Sequence, residues 1–375
     1  MNARVARRAA GLAGLVGGGW LARALRGVPT AVGAPPRAIA PVARRSPNFR
    51  DGVFVNAEPA SVLELDRQQG WVLLREFFGT RHAGRPAFDI PLVAPPAGPA
   101  ADAAAVWFGH STVLVELDGY RVLTDPVFSE RCSPSRLVGP RRLHDPPAPL
   151  TALPALDAVV ISHDHYDHLD LDTVRGLVRT QRAPFCVPLG IGAHLRRWGV
   201  PAERIVELDW HDSHRVGELT LTCTPARHFS GRLLRRNTTL WASWVIAGPR
   251  HRAFFGGDTG YTRAFTEIGA GHGPFDLTLM PVGAYHPAWP DIHMNPEEAV
   301  RAHRDITEAG LLVPIHWATF RLAPHPWAEP VERLLRAADP AGVPVAVPRP
   351  GERVTPDRPD PPDPDALGRD PWWRG

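Results

Sequence analysis

Five of the six residues from His163 to His168, in the order His-Asp-His-Tyr-Asp-His, can ligate a metal ion, and they directly follow an apolar run from Leu156 to Ser162. Alternate side chains of an extended segment share a side, so His163 and His165 can grip one ion together. Where the chain turns toward a helix near Asp172, Asp167 and His168 can face a second ion. Imidazole and carboxylate donors suit Zn²⁺, and iron or manganese accept the same set.

Two ions need more ligands, and other strand ends offer them. His228 follows the run Leu219–Cys223, Asp258 follows Phe254-Phe255-Gly256-Gly257, and His316 ends Leu312–Ile315. Each alone reads as a structural residue; the ordered series makes a specific pattern. Two such ions ~3.5–4 Å apart can share a water, lower its pKa and present hydroxide to a substrate. Asp164 points the other way along the segment and reads as a structural residue or one that orients a ligand histidine. His110 reads either as support behind a ligand or as ordinary packing. His211, His214, His251, His272, His286, His303 and His325 carry no spacing argument.

Holding these side chains needs a scaffold. Short apolar runs punctuated by glycine and proline predict strands over Thr112–Leu117, Arg121–Thr124, Ala158–Ser162, Pro184–Pro188, Arg204–Leu208, Leu219–Cys223, Leu240–Ile246, Ala253–Phe255, Leu277–Pro281 and Leu312–Ile315. Helices are predicted over Asp172–Thr180, Gly192–Gly199 and Pro296–Ala309, the last with Asn295 as N-cap and Pro296 at the first helical position. Strand pairs followed by strands alternating with helices imply a layered α/β protein. Trp241 and Trp244 fit core packing, and Gly256-Gly257-Asp258-Thr259-Gly260 lacks the Gly-Lys-Ser/Thr ending of a phosphate loop.

The 375 residues are 44% hydrophobic and 22% charged, which excludes a disordered chain and a disulfide-stapled mini-protein. Cys132, Cys186 and Cys223 are widely spaced and read as buried small hydrophobes. The formal charge is +3, lysine is absent and the arginines are scattered, so nucleic acid is not an expected partner. Arg4, Arg7 and Arg8 precede an apolar stretch, Ala9–Ala22, shorter than the ~20 residues of a spanning helix but suited to a signal segment or interfacial anchor. Residues 26–50 and 355–372, rich in proline with arginine or aspartate, read as extended and poorly packed.

The ordered series His-x-His-x-Asp-His, His, Asp, His resembles the signature of the metallo-β-lactamase superfamily. Within it, Pro47-Asn48-Phe49-Arg50-Asp51-Gly52, Trp107-Phe108-Gly109-His110-Ser111-Thr112, Leu123-Thr124-Asp125-Pro126-Val127-Phe128, Gly256-Gly257-Asp258-Thr259-Gly260-Tyr261, Pro281-Val282-Gly283-Ala284-Tyr285 and Pro296-Glu297-Glu298-Ala299-Val300 resemble the N-acylphosphatidylethanolamine-hydrolysing phospholipase D family. The resemblance implies an α/β fold, a four-layer αβ/βα sandwich. It implies one zinc held by His163, His165 and His228, a second by Asp167, His168 and His316, and Asp258 bridging them. Members that hydrolyse β-lactams lack an aspartate in that bridging role, so penicillin hydrolysis is disfavoured. Tyr166 and His293 match positions that contact substrate in the family, and His293 is also the candidate for chemistry at the leaving group.

The resulting expectation is a dinuclear zinc phosphodiesterase releasing an N-acylethanolamine and phosphatidic acid by means of a metal-bridged hydroxide. A metal-dependent lactonase or another phosphodiesterase of the superfamily is the alternative. Residues 1–46 would be a signal-like or membrane-associating segment and linker, 47–350 the hydrolase domain and 351–375 a Pro/Asp-rich tail. The expected partners are a phospholipid substrate, a membrane surface and, from the family, a second copy of the chain. The setting is a bacterial membrane, with the cytoplasmic face and the exported side both open.

Overall fold

The computed structural model describes residues 18–61, 67–233, 235–356 and 370–375. In chain order its sheet strands are β1 Ala103–Gly109, β2 Thr112–Leu117, β3 Tyr120–Thr124, β4 Ala158–Val160, β5 Phe185–Pro188, β6 Ile205–Leu208, β7 Ser213–Val216, β8 Leu219–Thr224, β9 Ser243–Ala247, β10 Arg252–Phe255, β11 Leu277–Pro281, β12 Leu311–Ile315 and β13 Arg353–Val354. The helices that matter here are α1 Pro36–Ala43, α2 Arg67–Gly79, α3 Leu171–Thr180, α4 Ile191–Trp198, α5 Ala264–His272, α6 Pro296–Ile306 and α7 Glu329–Ala341.

Beside two short two-stranded pairs, Phe49–Arg50 with Val53–Phe54 and Gly231–Arg232 with Arg235–Arg236, one large sheet runs β13-β1-β2-β3-β4-β5-β6 and the other β12-β11-β10-β9-β8-β7. Period-two alternation builds the layers. Ala103, Ala105 and Trp107 of β1 and Val113, Val115 and Leu117 of β2 enter the core shared by the two sheets. Val106, Phe108 and Leu114 turn outward, to meet Val174 and Leu177 of α3 and Leu195 and Trp198 of α4. On the far side Phe265 of α5, Ala299 and Ile306 of α6, and Val331 and Leu334 of α7 cover the second sheet. The result is the expected four-layer αβ/βα sandwich.

This topology makes one edge of the sandwich special. β3, β4, β5 and β6 are parallel, as are β10, β11 and β12, and two antiparallel steps through β9 give β8 the same sense. The carboxyl ends of β3, β4, β8, β10 and β12 therefore deliver their following residues to a common rim. The opposite rim is clasped by Asp118, in the β2–β3 turn. Its carboxylate accepts from the Arg250 and His251 backbone N–H groups at 2.8 and 3.1 Å and from His251 Nδ1 at 2.8 Å. Burial opposes the charge, but these donors win and lower the carboxyl to about 2. A depressed carboxyl stabilises the fold above its unfolded pKa of about 4 and loses that contribution as pH falls toward the folded value. Asp118→Asn should therefore cost about 2 kcal/mol in chemical denaturation near neutral pH, with the difference from wild type shrinking in acid.

Three expectations about the chain need correction. Residues 26–50 are not poorly packed: Ala31, Ile39, Ala43 and Ser46 are buried, with α1 lying against α4. Residues 370–375 carry Trp372 and Trp373 into a tryptophan cluster, where Trp372 lies 5.4 Å from Trp317 and 5.9 Å from Trp327 between ring centroids. β13 also lies beyond the expected domain end and pairs with β1. Composition suggested loose ends, but a few large apolar side chains suffice to dock a proline-rich segment. The apolar stretch Ala9–Ala22 falls mostly outside the described residues. Among those described, no helix is long and apolar enough to cross a membrane.

Element boundaries moved little. α3 begins one residue early, with the Asp170 side chain capping Thr173 N–H. α6 has the predicted Asn295 cap, completed by Glu298 as a capping box, and ends at Ile306, where Thr307 turns extended. β1, β7, β13 and the helices α1, α2, α5 and α7 were not anticipated.

Candidate metal centre

Each ligand candidate sits just past a strand, on the common rim. His163 to His168 follow β4, His228 follows β8, Asp258 follows β10 and His316 follows β12. Gly257, at φ +59°, makes the last approach possible, because a Cβ there would come within 2.5 Å of Ser162 Cβ. His110, Asp125 and His316 also adopt left-handed backbone, at φ 53°, 33° and 61°. For non-glycine residues that conformation costs about 1 kcal/mol or more.

The side chains form two trios around one carboxylate. His163 Nε2 lies 2.7 Å from His165 Nδ1, and His228 Nε2 lies 3.4 Å from the same atom. In the second trio Asp167 Oδ2 is 3.4 Å from both His168 Nε2 and His316 Nε2. Asp258 Oδ2 stands between them, 3.1 Å from His316 Nε2, 3.2 Å from His168 Nε2, 3.8 Å from His228 Nε2 and 3.9 Å from His163 Nε2. All seven residues named from the sequence are thus brought together.

Surrounding groups fix the rings. Asp125 Oδ2 accepts from His168 Nδ1 at 2.6 Å, and the Ile292 carbonyl accepts from His228 Nδ1 at 2.8 Å. Ser162 Oγ bonds His163 Nδ1 at 2.9 Å, while the Ser162 N–H is held by Asp125. With each Nδ1 occupied, Nε2 is the nitrogen left to face the centre. His110 Nε2 bonds Asp167 Oδ2 at 3.0 Å and its ring packs 4.1 Å from that of His316, so it stands against the second trio, with a nitrogen within 4.8 Å of each of that trio's ligand atoms.

Burial and charge make the cluster a poor resting place for protein alone. Burial drives the His163 and His228 imidazoles well below their ordinary range, leaving neutral lone-pair donors. It also opposes charge on Asp167 and Asp258, yet the facing imidazoles hold both carboxyls well below the carboxylate range. Asp258 and Asp167 in turn push His316 up to about 9, against its burial. His168 Nε2, His316 Nε2 and Asp258 Oδ1 are buried without a hydrogen-bond partner, each a cost of about 1–3 kcal/mol. Orphaned nitrogens and a carboxylate converging on one space are what divalent cations with N and O ligands satisfy, so the donor set fits such metals.

The other expected residues fall in different places. His293, just ahead of α6, has Nδ1 3.9 Å from Asp258 Oδ2 and its ring 5.1 Å from that of His228. A cavity of about 550 Å³ opens beside it, lined also by Tyr285, Asn295, His325 and Arg333. Tyr166 lays its ring 4.0 Å beneath the Arg232 guanidinium, and its buried hydroxyl has no hydrogen-bond partner. Asp164 orients none of the seven candidates; it accepts from Gly231 N–H at 2.6 Å and faces His194 Nε2 at 3.4 Å. The extended geometry that points it away from the centre points it at the neighbouring loop. Asp125 was missed as a ring-orienting residue, though it too is a lone carboxylate directly after an apolar strand.

The chain is similar to several known proteins. The family described as "Beta-lactamase superfamily domain" matches residues 120–317. An uncharacterized protein of Mycobacterium tuberculosis is 64% identical over 378 residues, spanning all of both chains. The N-acyl-phosphatidylethanolamine-hydrolyzing phospholipase D 1 of Caenorhabditis elegans is 39% identical over 248 residues, 63% of this chain and 69% of that protein. The solved structure of a metallo hydrolase from the archaeon Ignicoccus hospitalis superposes with a TM-score of 0.51 at 24% identity, over 68% of this chain and 97% of that one. With the matched family covering more than half of its length and the sandwich fold in place, the chain belongs to the beta-lactamase superfamily, as a metal-dependent hydrolase of metallo-β-lactamase fold.

Proposed function

We propose that the protein is a dinuclear phosphodiesterase of phospholipase D type, which cleaves N-acylphosphatidylethanolamine into an N-acylethanolamine and phosphatidic acid. The observation that carries this reading is the placing of Asp258 Oδ2 between His163 and His228 on one side and His168 and His316 on the other. Similarity to the nematode enzyme named for that lipid supports this choice of substrate class. His163, His165 and His228 would hold one cation, Asp167, His168 and His316 the other, and Asp258 both. Two zinc ions in these positions, or iron or manganese, supply Lewis acidity toward phosphoryl oxygens and lower the pKa of water.

The remaining work belongs to the chain. Asp125, Ser162 and the Ile292 carbonyl keep three imidazoles in register. His293 is placed to donate a hydrogen bond to a substrate phosphoryl oxygen and to attend the leaving oxygen, with the adjoining cavity taking the rest of the lipid. The Tyr166 hydroxyl offers a second polar contact. In the net reaction the phosphorus–oxygen bond to the ethanolamine breaks, a water oxygen stays on phosphorus and a proton goes to the leaving group.

Metal-reconstituted protein should be offered N-acylphosphatidylethanolamine, phosphatidylcholine and an acyl-homoserine lactone in parallel. Release of N-acylethanolamine with phosphatidic acid is the expected result. Lactone opening without lipid cleavage would overturn the substrate assignment.

A further inference from the structure

We propose that the groove between the helical residues 18–25 and the start of α3 binds the phosphate headgroup of an anionic phospholipid, and so seats the protein on a negatively charged lipid surface. The groove holds about 990 Å³ and is lined by Arg23, Arg26, Arg131, Arg136 and Arg175. Among the described residues only Arg136 of these five reaches a carboxylate, that of Asp172 at 2.6 Å. The groove's other carboxylate, Asp170, is engaged by Ser129 Oγ at 2.6 Å and by Thr173 N–H at 3.0 Å. Arg131 bonds the Gly139 carbonyl through Nη1, and its Nε is buried without a partner. Five guanidinium groups against two carboxylates around one open space leave an excess of positive charge, a potential that an anion relieves. Their planar forks suit phosphate oxygens in particular.

The rim of the groove selects the source of that phosphate. The helix is docked by Ala24, which is buried and whose carbonyl accepts from Ser135 Oγ at 2.7 Å. Docking at that residue leaves Trp20, Leu21 and Leu25 53–55% exposed, and Val138, next in sequence to the lining residue Leu137, is 48% exposed. A free phosphate has no use for this apolar rim. A lipid surface uses both features, with the indole and leucines entering the headgroup boundary while arginines hold the phosphates. The groove floor, Asp170 and Leu171, directly follows His168 and Leu169, so a headgroup bound there would lie behind the loop that carries the candidate ligands. The proposal rests on charge and exposure, and does not require the bound lipid to be a substrate.

The test is co-sedimentation of the full chain with vesicles of phosphatidylcholine, alone or mixed with phosphatidylglycerol, using no substrate and no turnover. Wild type should pellet with the anionic vesicles and stay in solution with the neutral ones. The double variant Arg26→Ala/Arg175→Ala, at two exposed positions, should weaken vesicle binding by about thirty-fold with unchanged thermal unfolding. Trp20→Ala/Leu21→Ala should weaken it too. Equal pelleting with both vesicle types, or undiminished binding by the arginine variant, would overturn the proposal. So would saturable binding of inorganic phosphate by a protein that ignores vesicles, since the ligand would then be a soluble anion.

Discussion

Asp258→Ala should leave a folded protein that has lost both metals under dialysis and hydrolyses its substrate at least about 10³-fold more slowly. The size of the effect follows from position. Asp258 Oδ2 is within 3.9 Å of four imidazole nitrogens from both trios, so on the proposed arrangement its removal would take a ligand from each cation at once. It would also remove negative charge that balances the proposed cations among largely buried side chains. Asp258→Asn keeps the volume but replaces one oxygen by a donor that repels a cation, and should be nearly as damaging. Elemental analysis and initial rates on the same samples check this. A variant with full metal content and undiminished rate would show that the carboxylate is not shared.

The second large effect should come from a residue that faces none of the reacting atoms. Asp125→Ala strips His168 Nδ1 of its acceptor and leaves the Ser162 N–H without its partner. His168 is then free to turn its ring or exchange tautomers, and affinity for the second cation should fall by about 10–100-fold. A purely structural role would lower thermal stability without that change. The readout is therefore titration of cobalt into metal-free protein, where the visible ligand-field bands of the second site should need higher cobalt to develop. Asp125→Asn, which can still accept from His168, should recover part of the loss.

How much of this was readable beforehand varied with the physics behind each feature. The seven ligand candidates were legible because each is a lone polar residue after an apolar run, and a parallel arrangement of strand ends delivers all of them to one rim. The four-layer fold was legible for the same reason together with the resemblance. β1 was not, because Ala103-Ala104-Ala105 has weak strand propensity and is extended only because sheet pairing and burial on both faces override it. Asp164 was legible as far as its side and its structural reading, because an extended backbone tells which way a carboxylate faces; its partners were not, since His194 and Gly231 arrive from distant segments. The terminal segments were misread because composition averages over residues, while docking depends on single side chains such as Ile39 and Trp372. Arg232 illustrates the same point. It is buried, and it ties the Ala31 carbonyl to those of Asp164 and Leu169, joining the N-terminal segment to the ligand loop by contacts no local pattern encodes.

The claim on which the account turns is that two cations occupy the space around Asp258. Anomalous diffraction from crystals grown with zinc measures this directly. The account predicts two peaks per chain, one among His163, His165 and His228, the other among Asp167, His168 and His316, with Asp258 reaching both. A single peak, or metal found only elsewhere on the surface, would contradict it.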